Sequence, residues 1–220
     1  MGGDTTVMYR ALLHGLLELL APPTCAACAD GIEARELTFC SACELLVDRV
    51  PVRVGDDRDA CVFGGPLRDA IHRLKYRGQS ELAPGLAHWL IEAAQPLAQE
   101  VDLVTAVPLH ARRLRERGFN QSVLLARPVA RALAVPLVPR WLKRVRGASA
   151  QVGSGRQARV RALAGAFTAS AAAKGRRVLV VDDVRTTGAT LEEARRALHT
   201  AGATAVYTLA LAVADPELDA

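Results

Sequence analysis

The stretch VLVVDDVRTTGATL, residues 178–191, ends an apolar run in two carboxylates, Asp182 and Asp183, and then turns to hydroxyls and a glycine. A run bounded in this way reads as a buried strand, and parallel sheets bind ligands beyond the carboxyl ends of their strands. Thr186, Thr187, Gly188, Ala189 and Thr190 lead directly into LEEARRAL, which has helical spacing. Free backbone N–H groups at that helix start, with a glycine allowing close approach, make a cup for one phosphate. Two carboxylates beside the cup repel a second phosphate but accept hydrogen bonds from sugar hydroxyls, directly or around a magnesium ion. A phosphorylated ribose satisfies both halves.

Two other chemistries use similar letters. A phosphorylation receiver needs most of its fold after such a strand, and fewer than forty residues follow Asp183. A Walker B strand needs a G-x-x-x-x-G-K-[ST] loop, which the chain lacks.

A second cluster is TCAACADGIEARELTFCSACE, which holds four of the five cysteines as two C-x-x-C pairs, Cys25 with Cys28 and Cys40 with Cys43. Each pair puts two thiolates on one side of a tight turn, and a short hairpin between them gathers four soft ligands for zinc. A four-coordinate site of this kind is structural. Two disulfides would need an oxidising compartment, and no export signal is apparent; a redox dithiol needs only one pair. Cys61 stands alone and reads as a small buried residue.

The elements that must position these groups follow from hydrophobic periodicity. Half of the 220 residues are apolar, enough for one sizeable α/β domain with a small appendage. VMYRALLHGLLELLA reads as an N-terminal helix stopped by Pro22 and Pro23; His14 and Glu18 interrupt it, and it is too short to span a membrane. PLRDAIHRLKYRG, LAPGLAHWLIEAAQPLA, FNQSVLLARPVARALA and ATLEEARRALHTAGA have helical spacing. VDLVTAVPL, VPRWLKRVR, RRVLVVDD and ATAVYTLALAVA read as strands, VPVRVGDDRDACVF as a short strand and linker, and GASAQVGSGRQAR as a loop. Alternation of strands and helices predicts an α/β fold with a largely parallel sheet flanked by helices.

Residues 178–190 closely resemble the phosphoribosyl-pyrophosphate (PRPP) motif of type I phosphoribosyltransferases, a hydrophobic strand followed by D-D-x-x-T-T-G-x-T. The resemblance implies that Asp182 and Asp183 contact ribose hydroxyls, while Thr186, Thr187, Gly188, Ala189 and Thr190 hold the 5-phosphate. PRPP also carries a pyrophosphate, so a second anion site is needed. VDLVTAVPL runs into HARRLRERGFNQ, read as a basic loop after the strand end, where Pro108, Leu109 and His110 supply backbone and Arg112 and Arg113 supply charge for the leaving group. Lys75 and Arg77 of LKYRG are further candidates.

Over most of the chain, LLELLAPPTCAAC, LKYRG, VPLHARRLRERGFNQS, QVG, LAGAF and VVDDVRTTGAT resemble the ComF family in order and spacing. That family joins an N-terminal zinc ribbon to a type I phosphoribosyltransferase domain and is linked to DNA uptake in competent bacteria. The resemblance implies a helix over 1–20, a zinc ribbon over 21–50 and a phosphoribosyltransferase-like domain over 51–220, in a cytoplasmic protein without membrane insertion. It departs at QVGSGRQARVRA, where the family more often has a leucine-serine-arginine pattern. Two functions stay open: an enzyme using PRPP and magnesium, or a non-catalytic protein that senses PRPP or a nucleotide, or binds single-stranded DNA. Net charge of +5 and clustered arginines allow phosphate contacts, while few aromatics weigh against stacking of single strands. Acceptor and oligomeric state have no signature in the sequence.

Overall fold

Val178, Leu179, Val180 and Val181 are each fully buried, because strands flank them on both sides and helices cover both faces. The computed structural model describes residues 24–32, 38–52, 55–145 and 163–214. The expected N-terminal helix and the QVG segment lie outside them.

The main sheet has four parallel strands: β1 (Asp57–Val62), β2 (Leu103–Ala106), β5 (Arg177–Arg185) and β6 (Ala205–Val213), in the order β1-β6-β5-β2. Alternation along β5 divides the core. Leu179 and Val181 pack with α3 (Ala83–Ala94) and α5 (Gln121–Ala132) through Leu86, Leu90, Leu125 and Val129. Val178 and Val180 pack on the other face with Leu191, Ala194 and Leu198 of α6 (Ala189–Thr200).

Helix boundaries follow local chemistry. In α2 (Gly65–Tyr76), Pro66 sits in the first turn, Leu67, Ala70, Ile71 and Leu74 form the buried stripe, and Gly78 lies just beyond at φ +70°. Asn120 caps α5 by accepting from Ser122 N–H, and Pro128 is accommodated inside the helix.

Three expectations change. VPRWLKRVR is not a strand of the parallel sheet: only Leu142–Arg144 (β3) is extended, pairing antiparallel with Phe167–Ala169 (β4) in a separate two-stranded sheet. The basic segment after β2, read as a loop, is a short helix α4 (Ala111–Arg117), closed by Gly118 at φ 78°. β5 also does not end at the aspartates. Its ladder with β2 stops at Ala106↔Val181, but β6 stays paired as far as Arg185↔Val213. Asp182 and Asp183 therefore sit in a strand held on one side and open on the other.

The cysteine segment docks on this framework. A single turn, α1 (Ser41–Glu44), starts at Cys40, and Thr24 bridges Gly31. Phe39 stacks on Trp89 of α3 with centroids 5.6 Å apart. Arg73 of α2 donates to the carbonyls of Cys25 and Ala27 at 3.2 and 2.9 Å. Arg73→Ala is expected to cost about 1–2 kcal/mol and to speed metal release to a chromogenic chelator. Equal release rates from both proteins would show that this anchor does not support the cysteine turn.

Candidate functional site

The open end of β5 gathers residues far apart in sequence. Asp182 Oδ1 accepts from Ser122 Oγ at 2.8 Å and from the Asp183 backbone N–H at 2.9 Å. Ser122 is in place because Asn120, besides capping α5, donates from Nδ2 to the Val107 carbonyl at 2.9 Å, tying the end of β2 to the helix. Lys75 Nζ lies 2.8 Å from Asp183 Oδ2. Both aspartates are buried, yet that Asp183 oxygen has no aligned hydrogen-bond donor among the described residues. Two adjacent buried carboxylates with one ammonium between them keep accepting capacity that ligand hydroxyls could fill.

Burial, and then the charge of Asp183, pushes the Asp182 carboxyl up to about 7; the hydrogen bonds it accepts and the charge of Lys75 pull the other way. An unfolded aspartate titrates near 3.9. Because the folded value is raised to about 7, Asp182 costs stability that is absent below about pH 4 and fully present above about pH 7. Asp183→Asn removes the like charge and is expected to lower the Asp182 midpoint, read from its carboxyl carbon shift. A midpoint that stays or rises would contradict the coupling.

Beyond Arg185, Thr186, Thr187 and Gly188 turn into α6, whose first residues are Ala189 and Thr190. Gly188 is the N-cap at φ 76°, a left-handed backbone that suits glycine, and no side chain caps the helix. Thr187 Oγ1 lies at 3.5 Å from Ala189 N–H, the limit of a hydrogen bond. First-turn N–H groups have no intrahelical acceptor, and Thr186, Thr187, Gly188 and Ala189 line a cavity of about 830 Å³. Its wall includes Glu192, Glu193 and Arg196; Glu193 is engaged by Arg196 and by Gly165 N–H.

The pyrophosphate candidates divide. Lys75, Arg112 and Arg113 line one cavity of about 370 Å³ with Tyr76, Glu116 and Arg117. Arg77, exposed at the end of α2, is not in its wall, nor are Pro108, Leu109 and His110. His110 is the N-cap of α4, with Nδ1 accepting from Arg112 N–H at 3.2 Å. Arg112 pairs with Glu116 at 3.1 Å, while Arg113 has no ion pair among the described residues.

Four contributors were missed by sequence reasoning: Ser122, Tyr76, Arg117 and Arg144. Arg117 lies over the Tyr76 ring at 4.9 Å and donates to Gln121. Arg144 of β3 is within electrostatic reach of Arg113 and Asp182; burial, then Arg113, pulls its pKa down. Arg117 and Arg144 were marked in the sequence only as members of basic clusters, and Ser122 only by its place two residues after the Asn120 cap.

The four cysteine sulfurs all lie within 4.8 Å of one another, and Cys28 Sγ is 3.8 Å from Cys40 Sγ. Zn–S bonds of about 2.3 Å require tetrahedral S···S edges of about 3.8 Å. The donor set therefore fits a metal such as zinc. Burial opposes ionisation of Cys25, but the N–H groups of Cys40, Ala27 and Cys28 prevail and lower its thiol to about 6. Cys61 is fully buried, and burial raises it to about 12, in keeping with an inert core residue.

The phosphoribosyl transferase domain matches residues 120–218, the span from α5 to just past β6. Both aspartates and the threonine loop lie within it, so this is a phosphoribosyltransferase-domain protein. DNA utilization protein YhgH of Salmonella typhi is 31% identical over 202 residues, covering 85% of this chain and 88% of that protein. Competence protein F of Haemophilus influenzae is 32% identical over 155 residues, 67% of this chain and 68% of its own length. The chain belongs to the ComF family, with these proteins as relatives. Among solved structures, glutamine PRPP amidotransferase from B. subtilis aligns at 24% identity and a TM-score of 0.38, over 65% of this chain and 27% of that one. No helix among the described residues is long and apolar enough to cross a membrane.

Proposed function

We propose that the chain binds PRPP, or a closely related ribose phosphate, together with magnesium. The observation that carries this reading is the buried pair Asp182 and Asp183, with the Lys75 ammonium 2.8 Å from Asp183 Oδ2, placed in β5 directly ahead of a glycine-started helix whose N-cap side chain supplies no hydrogen bond. Asp182 and Asp183 would take the ribose hydroxyls, and the turn from Thr186 to Thr190 the 5-phosphate. Lys75, Arg112 and Arg113 would meet the pyrophosphate, with Arg117 adding charge to the same cavity. Magnesium supplies neutralisation of the pyrophosphate when bound. Displacement at the anomeric carbon would then be favoured by basic groups placed where charge develops on the leaving group. Zinc in the four-thiolate site would be structural.

Thermal unfolding tests the reading: PRPP with magnesium at 100 times its dissociation constant is expected to add about 2.7 kcal/mol. No shift at millimolar PRPP would remove it.

The basic wall formed by Lys75, Arg112, Arg113 and Arg117 supports a second reading, in which single-stranded DNA is held through its phosphates. The names of the relatives, DNA utilization protein and competence protein F, point the same way. Affinity for a short oligonucleotide should then fall steeply as salt rises. Negligible binding at low salt would exclude it.

A further inference from the structure

Two arginines bracket the turn Thr186, Thr187 and Gly188, and both reach one carboxylate. Arg185 is the last residue of β5, directly ahead of the turn, and Arg195 stands in α6, the helix that leaves it. Arg195 pairs with Asp57 Oδ1, and Arg185 Nη1 lies 3.4 Å from the same oxygen. We propose that Asp57 is a positioning residue, a clamp on both sides of the turn that holds its backbone ready for the 5-phosphate. This proposal rests on the ribose-phosphate reading of β5 and that turn.

The turn needs such an anchor because little fixes it locally. Gly188 has no side chain to cap α6, and the Thr187 hydroxyl is at the limit of its bond to Ala189 N–H. The ladder with β2 has already stopped at Val181, so the end of β5 is held from the β6 side alone.

Asp57 supplies a fixed point from outside the turn. It opens β1 at the edge of the sheet, in register with the buried Thr208 of β6. Thr208 Oγ1 donates to Asp57 Oδ1 at 2.5 Å and accepts from Arg185 Nη2 at 2.7 Å. Arg185 also donates from Nε to Asp59 at 2.7 Å, and Arg195 from Nε to the Val206 carbonyl at 3.3 Å. Burial opposes ionisation of Asp57, but the hydrogen bonds from Arg195 and Thr208 prevail and hold its carboxyl below its ordinary value.

The sign of the effect is diagnostic, because Asp57 lines the same cavity as Thr186, Thr187 and Gly188. By charge alone, removing a carboxylate from the wall of a phosphate cavity tightens anion binding. Removing a clamp weakens it, because binding must then order the turn.

Calorimetry on the full chain compares the wild type with Asp57→Ala and Asp57→Glu. The ligands are ribose 5-phosphate and magnesium pyrophosphate, which has no 5-phosphate. Asp57→Ala is expected to weaken ribose 5-phosphate binding about tenfold, the cost of fixing the backbone of roughly one more residue on binding. Its affinity for magnesium pyrophosphate should stay unchanged, and Asp57→Glu should restore ribose 5-phosphate affinity. Equal or tighter ribose 5-phosphate binding by Asp57→Ala overturns the clamp and leaves the sugar-phosphate reading standing. Equal losses for both ligands would mark a general structural role and overturn it too. If the wild type binds neither ribose 5-phosphate nor PRPP, the sugar-phosphate reading fails and the clamp with it.

Discussion

Asp183→Asn is expected to weaken PRPP binding about 10- to 100-fold, the loss that follows from removing one or two charge-assisted hydrogen bonds worth roughly 1.5–3 kcal/mol. The amide keeps the size of the side chain but replaces one carboxylate oxygen with an N–H donor, and it cannot accept hydroxyl protons at both positions. It also leaves Lys75, which is only 18% exposed, without its charge partner. Asp182→Asn should be milder: its Oδ1 is already committed to Ser122 and the Asp183 N–H, and an amide oxygen can keep both bonds. Calorimetry with PRPP and magnesium ranks the two. Equal losses would mean that both aspartates touch the ribose to the same degree, while a larger loss in Asp182→Asn would make Asp182 the principal ribose contact.

The second large effect concerns the metal. With zinc in the four-thiolate site, as proposed, its removal by a strong chelator should lower the unfolding temperature by about 10 °C, given about 2–4 °C per kcal/mol for a chain of this size. The reason is local crowding of charge: four thiols with every sulfur within 4.8 Å of the others have no other arrangement that holds them as thiolates. The damage should spread, because Phe39 rests on Trp89 and Arg73 grips the carbonyls of Cys25 and Ala27. Arg73 lies two residues before Lys75, so the residue that grips the cysteine turn and the partner of Asp183 share one helix. Calorimetry paired with metal analysis checks this. Less than about one zinc per chain in fresh protein, or an unchanged transition after stripping, would contradict it.

Much of the site could be read from the sequence because its signals are local. The apolar run before Asp182, the glycine at 188 and the matched cysteine spacings each act within a few residues of the chemistry. Strand length was not legible in the same way. β5 continues to Arg185 because β6 is long enough to pair with it, a property of a distant segment. Lys75 is a pyrophosphate candidate from its sequence setting, but its pairing with Asp183 joins residues over a hundred positions apart and has no sequence signature. HARRLRER carries few apolar residues, so no periodicity marked it as a helix; its six exposed side chains from Ala111 to Glu116 show why. VPRWLKRVR alternates enough to suggest a strand, but alternation cannot say which sheet a strand will join, and β3 pairs with β4 instead.

In the proposed function, β5 and the turn into α6 cradle a ribose 5-phosphate bearing pyrophosphate. Isothermal titration of PRPP with magnesium into the wild-type chain and Asp183→Asn tests it most directly. The expected result is saturable binding near one PRPP per chain in the wild type, weakened at least tenfold in a variant that remains folded. Equal affinity in the two proteins, or no heat from the wild type at millimolar PRPP, would contradict it.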